Sequence, residues 1–410
     1  MKKKLGKDTW IMIRNQKKLW RKRKWDKTST VKLITLCAAI IIIIAGMRLI
    51  DITGLQNGEE SIQYYPAKVL QVIEDSTMVD TATEGVRRGS QVIKIEITAG
   101  PYKGKTVTID NYISALFNIY TREGTRIIVR STVYEDGPEF SVYNYDRTPI
   151  LYGFVILFMV SLCVIGGKKG FMSLLSLGIT LIVVIKLSLP LLIKGYPAII
   201  TTIAIIIFST VVNFILIDGI NVKTVSAAIG TIAGVILSGG LAYIAGYFGH
   251  VTGFQMEEAE SLLLIAGDSG LKIKNILISG ILIASLGAVM DVAMSIASSI
   301  HELHQVKPSL SAKELFRSGM NIGRDAMGTM ANTLILAFTG SSLNLLLMIY
   351  SYGIPYSQLI NTDIIAIEII RGIAGSIGIV LTVPIIAYVS SRIEKKFIIS
   401  EKVISGGKLK

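Results

Sequence analysis

The chain has 410 residues, of which 51% are hydrophobic and only 17% charged, with a formal net charge of +13. Soluble domains carry roughly a quarter charged residues, so there is too little polar material to cover a water-exposed surface. Several apolar runs also approach the roughly 20 residues that cross a bilayer core.

The positive charge is concentrated at one end. Residues 1–32 hold thirteen Lys and Arg against Asp8 and Asp26, together with Trp10, Trp20 and Trp25. A basic, tryptophan-bearing arm directly before an apolar run holds the N-terminus in the cytoplasm. It also binds anionic lipid headgroups at about 1 kcal/mol per cation. This reading is preferred to nucleic-acid binding. The apolar run, residues 33–50, continues through Arg48 and Asp51 without a small-residue cleavage site, so it is expected to be an uncleaved anchor. Cys37 and Cys163 both lie inside apolar runs, which argues against a disulfide framework, and Ile34-Thr35-Leu36 lacks the small residue that precedes a lipidated cysteine.

Residues 55–148 change character. Ile93, Ile95 and Ile97 alternate with Lys94 and Glu96, a half-buried strand. A turn at Gly100–Lys105 leads to a second strand at Thr106–Ile109, and further strands are expected at Tyr65–Ile73, Thr125–Tyr134 and Glu139–Tyr145. A short helix at Ile113–Tyr120 would complete the order of an OB-type barrel. An SH3-like barrel or an irregular sheet gives similar signals, and oligonucleotide binding does not follow from the fold.

From Ile150 the periodicity predicts spans at about 150–166, 171–193, 197–217, 222–249, 275–300, 329–350 and 364–391, so the membrane domain covers 150–393 and a basic tail 394–410. The expected fold is a membrane all-α helical bundle of about eight transmembrane helices, with a small extracytoplasmic β-rich domain, OB- or SH3-like, after the first helix. Lys168, Lys169, Lys223, Arg317 and Arg324 then fall on the cytoplasmic side with both termini, while Glu257, Glu258, Glu260 and Asp268 fall outside. Ser261–Gly267 is short enough to be an interfacial or re-entrant helix. The localisation expected is the cell (plasma) membrane.

In the fifth span Ser226, Gly230, Gly234, Ser238, Ala242, Gly246 and His250 recur every fourth residue, the spacing of close helix packing. In the sixth, Gly280, Ala284, Gly287, Asp291, Ser295 and Ser299 lie close to one face. A carboxylate as deep as Asp291 must pair, bind a proton or line a wet cavity. The seventh span carries Arg324, Asp325 and Asn332. The eighth carries Glu368 and Arg371, three apart and able to pair, followed by Gly372 and Gly375. Two readings stay open: Arg371–Glu368 and Asp291–Arg324 as pairs that fix helix register, or Asp291, Ser295, Arg324, Asp325, Asn332, Glu368 and Arg371 as an ion or substrate path.

No catalytic set stands out. Gly267-Asp268-Ser269-Gly270 lacks a surrounding protease fold, and Gly100–Thr106 is one residue short of a phosphate loop. His301 and His304 are three apart, not four as in a zinc helix, and are read as surface residues. Enzyme activity, cofactors and a resident metal are not expected. A homo- or hetero-oligomer and the identity of any small-molecule or ion cargo are left open.

Ser285-Leu-Gly-Ala-Val-Met-Asp-Val-Ala-Met-Ser-Ile-Ala-Ser-Ser299 resembles a signature segment of the YibE/YibF family. So do Gly323-Arg-Asp-Ala-Met-Gly-Thr-Met-Ala-Asn-Thr-Leu-Ile-Leu-Ala-Phe-Thr-Gly-Ser-Ser342 and Glu368-Ile-Ile-Arg-Gly-Ile-Ala-Gly-Ser-Ile-Gly-Ile-Val-Leu-Thr-Val-Pro384. The resemblance covers roughly 150–395. It implies a bacterial multispanning membrane protein and transfers no substrate or catalytic residue. Two functions remain as expectations: a transporter or permease with a path near Asp291, or an accessory protein whose β domain binds a partner, lipid or wall component.

Overall fold

A computed structural model describes residues 30–48, 62–134, 137–251, 253–254, 259–269, 271–273 and 275–406. The basic arm up to residue 29 and the acidic pair Glu257 and Glu258 lie outside the described residues. The chain divides into two units, residues 52–164 and residues 1–51 with 165–410.

The first unit is an antiparallel sheet of β1 (Ile62–Asp75), β2 (Met78–Asp80), β3 (Val86–Ile97), β4 (Thr106–Ile113), β5 (Arg126–Tyr134) and β6 (Gly137–Tyr145). The ladder runs β2-β3-β1-β5-β6, with β4 paired to β3. Alternation explains the core. Ile93, Ile95 and Ile97 are fully buried, Ile95 opposite Val69 and Ile97 opposite Ala67 on β1, and they share one core with Ile127 and Val129 of β5. Tyr65, Tyr102 and Phe140 stack edge to face at 5.6 and 5.4 Å. Gly100 turns the chain at φ +89°, and a Cβ there would stand 2.5 Å from the Tyr65 ring, so glycine is required on both counts.

Two expectations are corrected in this unit. Ile113–Tyr120 is not a helix: β4 runs through Ile113 and a bent loop follows. Side chains hold that loop in place of helical bonds. Ser114 Oγ accepts from the Phe117 amide at 3.0 Å, and Asn111 Nδ2 donates to the Ile119 carbonyl at 2.8 Å. The buried Gln91 side-chain Oε1 accepts from the Thr121 amide and hydroxyl, both at 3.0 Å. The sheet also does not close into an OB- or SH3-like barrel. Among the described residues β4 pairs only with β3 and β6 only with β5, leaving a half-barrel with two free edges.

The second unit is helical. Helix α1 spans Thr30–Arg48. It is followed by α2 (Thr148–Val183), whose residues up to Val164 belong to the first unit, a π-helical turn at Val184–Ser188, α3 (Leu189–Ile193), α4 (Ala198–Asp218), α5 (Val222–Phe248), α6 (Ala259–Ser269), α7 (Ile276–Val306), α8 (Ala312–Ser341), α9 (Leu343–Ser351), α10 (Tyr356–Leu359) and α11 (Asp363–Gly406). Among the described residues six helices are long and apolar enough to cross a membrane, or up to seven if α8 and α9, bent by 61°, form one span. The expected spans 150–166 and 171–193 fall in one 46-residue run, Thr148–Ile193, interrupted where Gly167 leaves helical geometry at φ 54°, ψ −133°.

Helices α5, α7 and α11 share one core, in which Val235, Val289, Val292, Ile296, Ile379 and Ile386 are buried. Helix α8 lies antiparallel on α11: Gly319 faces Ala387, Gly323 faces Val383, and Ser376 Oγ donates to the Ala331 carbonyl. Capping boxes start α5 at Asn221 with Thr224 and α8 at Ser311 with Glu314. The expected seventh span, 329–350, therefore begins at Ala312 and breaks at Ser342. Most of the expected 301–328 loop is helix, since α7 runs to Val306. Its polar composition hides the helical period carried by the buried Leu315, Gly319 and Gly323. The expected tail 394–410 is likewise helical as far as Gly406.

Candidate functional site

The small-residue stripe of α5 is met by a second stripe on α11. A Cβ on Gly230 would lie 2.9 Å from Ile386, and one on Gly234 would collide with the Thr382 hydroxyl. A Cβ on Gly378 would lie 2.6 Å from Ser238, whose hydroxyl donates to the Ala374 carbonyl at 3.0 Å. Ala374, Gly378, Thr382 and Ile386 thus repeat the four-residue spacing, and the backbones come close along it. Gly375 packs on Leu334 and Gly372 approaches Phe338. The stripe stops before Gly246, whose added Cβ would meet only the Val251 carbonyl at 4.0 Å, and His250 is exposed.

On α7 the same spacing has the opposite fate. Gly280, Ala284, Gly287, Asp291 and Ser295 are all exposed, and a Cβ on Gly287 would touch nothing within 4 Å. Among the described residues Gly287, expected to serve helix packing, therefore packs against no neighbouring helix. The buried side of α7 is instead Leu286, Val289, Val292 and Ile296.

Asp291 makes no hydrogen bond or ion pair with any described residue, so the expected Asp291–Arg324 pair is not formed. Asn332, Arg324 and Asp325 also lie on an exposed face, that of α8, and the side chains of Arg324 and Asp325 find no partner among the described residues. Glu368 and Arg371 do pair, at 2.9 Å and half-buried, and Ser342 Oγ at the α8–α9 bend donates to Glu368 at 2.7 Å. The predicted residues thus form two groups: a closed pair on α11 tied to the bend, and open polar faces on α7 and α8.

Three polar features escape the sequence reading. Asp218 ends α4 and binds Lys223 at 3.1 Å and Lys169 at 3.3 Å, while Lys32 of α1 donates to the neighbouring Ile217 carbonyl at 2.7 Å. Cations at a helix C-terminus are favoured by its dipole, and this cluster ties α1, α2, α4 and α5 together. Glu394, only 4% exposed, binds His301 Nδ1 at 2.7 Å and joins α11 to α7. His304, expected at the surface, is buried with neither ring nitrogen bonded to a described residue. Its place one turn beyond Ile300 was the available signal. No described group of His, Cys, Asp and Glu residues is arranged to hold a metal.

Searches against curated proteins and solved structures find no match. The family model described as YibE/F-like protein matches residues 154–396, more than half of the chain, and the chain belongs to that family.

Proposed function

We propose that this is a multispanning plasma-membrane protein that passes a small ion or polar solute along the polar faces of α7 and α8, with Asp291 as the residue that meets the cargo. The observation that carries the reading is the position of Asp291. It is fifteen residues from either end of α7, about 22 Å at 1.5 Å per residue, which supports a depth near the middle of a bilayer core about 30 Å thick. A carboxylate at that depth costs roughly 3 kcal/mol even on the mildest scales, and no described residue offsets it.

Lipid surroundings are supported by the large apolar side chains left uncovered, such as Ile150, Phe154 and Ile165 at 76%, 74% and 88% exposure. The cations Lys32, Lys169 and Lys223 gather around one helix end, and the basic residues of the arm and tail agree with an orientation that keeps both termini in the cytoplasm.

The test is flux through the purified chain in phosphatidylethanolamine–phosphatidylglycerol vesicles loaded with a pH-sensitive dye, under imposed proton, sodium and potassium gradients. The wild type is expected to dissipate at least one gradient, Asp291→Asn to slow it about tenfold or more, and Asp291→Glu to retain part of it. No flux from the folded wild type, or equal flux from Asp291→Asn, would contradict the proposal.

The first of those failures would favour the second reading, an accessory protein acting through its β domain. That reading draws on a groove of about 510 Å³ between the free edges of β4 and β6, lined by Asp110, Asn111, Tyr112, Phe117, Ser141 and Tyr143. Unpaired strand edges are where an extended peptide adds.

A further inference from the structure

The exposed face of α8 has an order that one chain does not use. Asn321, Asp325, Gly328, Asn332, Ile335 and Thr339 alternate at spacings of four and three, and all six are exposed. That is the spacing of a seam between two helices. On the opposite side, α8 is already packed on α11 and α7 through Gly319 and Gly323. The seam residues begin beside Gly323, which touches Ile296 of α7, ten residues inside that helix's end, and they continue past Ala331, bonded to Ser376 of α11. The whole stripe thus runs at the depth of helices that meet the length and composition of a span.

We propose that this face is covered by a second copy of the same chain, α8 against α8 across a two-fold axis parallel to the helices. Self-complementary charge on this face points to a second copy. At 100° per residue, Arg324 and Asp325 lie about 50° to either side of the line through Gly328 and Asn321, and only one residue apart in depth. A two-fold axis along the helix brings one flank of the first copy to the opposite flank of the second, as in parallel coiled coils. Each Arg324 then meets the partner's Asp325, forming two equal pairs from charges that have no partner within the described chain. Gly328 at the centre lets the backbones approach, since nothing stands within 4 Å of its Cβ position. Asn321 and Asn332 offer amide pairs above and below. The inference rests on the membrane placement proposed above and not on transport, because the face needs covering whether or not anything passes along it.

The experiment is oxidative cross-linking in native membranes of the full chain, with Cys37→Ala and Cys163→Ala as background. Gly328→Cys is expected to give a species at twice the 44.6 kDa of one chain. Ile207→Cys, exposed on α4, is expected to give none. Arg324→Asp should reduce the Gly328→Cys product about tenfold, and Arg324→Asp with Asp325→Arg should restore it. Restoration separates a contact from a folding defect. Cross-linking of Gly328→Cys no stronger than that of Ile207→Cys overturns the proposal, as does a product of another mass, which would mean a different protein covers the face. Release of the chain from membranes by alkaline carbonate would defeat the membrane placement itself, a failure distinct from that of the dimer.

Discussion

At the scale of single residues the chain sets its carboxylates in contrasting surroundings. Asp75, at the end of β1, accepts from the Thr77 hydroxyl at 2.5 Å and its amide at 3.0 Å, and also from Tyr120 and Gln91. These bonds, the Thr77 hydroxyl first, favour the ionised form and together outweigh desolvation, which acts in the other direction, holding its pKa down to about 2. The sign follows from linkage. A depressed folded-state pKa adds stability that is complete above the unfolded value near 3.8 and disappears as pH falls towards 2. Thermal unfolding of the detergent-solubilised chain, followed by tyrosine near-ultraviolet dichroism, should therefore show a loss between about pH 4 and pH 2 that is smaller in Asp75→Asn. An identical acid profile for the two proteins would remove Asp75 from the account. Glu368 is bonded and Glu394 is buried against His301, whereas Asp291 and Asp325 are left open among the described residues. Sequence position marked Asp291, Glu368 and Arg371 as costly, and which of them finds a partner depends on helix rotation that spacing alone does not reveal.

At the scale of elements, what was legible and what was not have physical causes. The strands were readable because Ile93, Ile95 and Ile97 alternate with Lys94 and Glu96, and a half-buried strand needs that period. The helix start at Ala312 and the loop at Ile113 have a common cause: both are set by hydrogen bonding, which hydropathy does not carry. In the first case a capping box and a narrow buried stripe carry a polar helix, and in the second the buried amides of Gln91 and Asn111 bind the loop backbone. The small-residue stripes show the deeper limit. Helices α5 and α7 both space small residues at three or four, and only the neighbour across the interface decides whether a stripe is packed. The two glycines therefore give opposite expectations. Gly234→Val meets the Thr382 hydroxyl and should destabilise by about 1–3 kcal/mol, whereas Gly287→Ala should stay within about 0.5 kcal/mol of the wild type. Thermal midpoints in detergent measure both. Equal effects would mean that the α5–α11 contact is looser than the structure has it.

At the scale of the whole molecule, a helical unit closed on the α5–α7–α11 side displays polar faces on α7 and α8. Span periodicity and the YibE/F resemblance anticipated the helical region and its polar segments. Neither could show that the half-barrel stays open or that the α8 stripe points away from its own core. Packed helices on one side and unpartnered charge on the other are what a path along the protein, lined partly by a second copy, requires. The most direct measurement of that claim is the water accessibility of Asp291→Cys in the background lacking Cys37 and Cys163. Intact cells and inverted membrane vesicles would be treated with a charged, membrane-impermeant thiol reagent and with a lipid-soluble maleimide. The charged reagent is expected to react at this position from at least one side of the membrane. Reaction with the lipid-soluble maleimide alone, from both sides, would put Asp291 in lipid and contradict it.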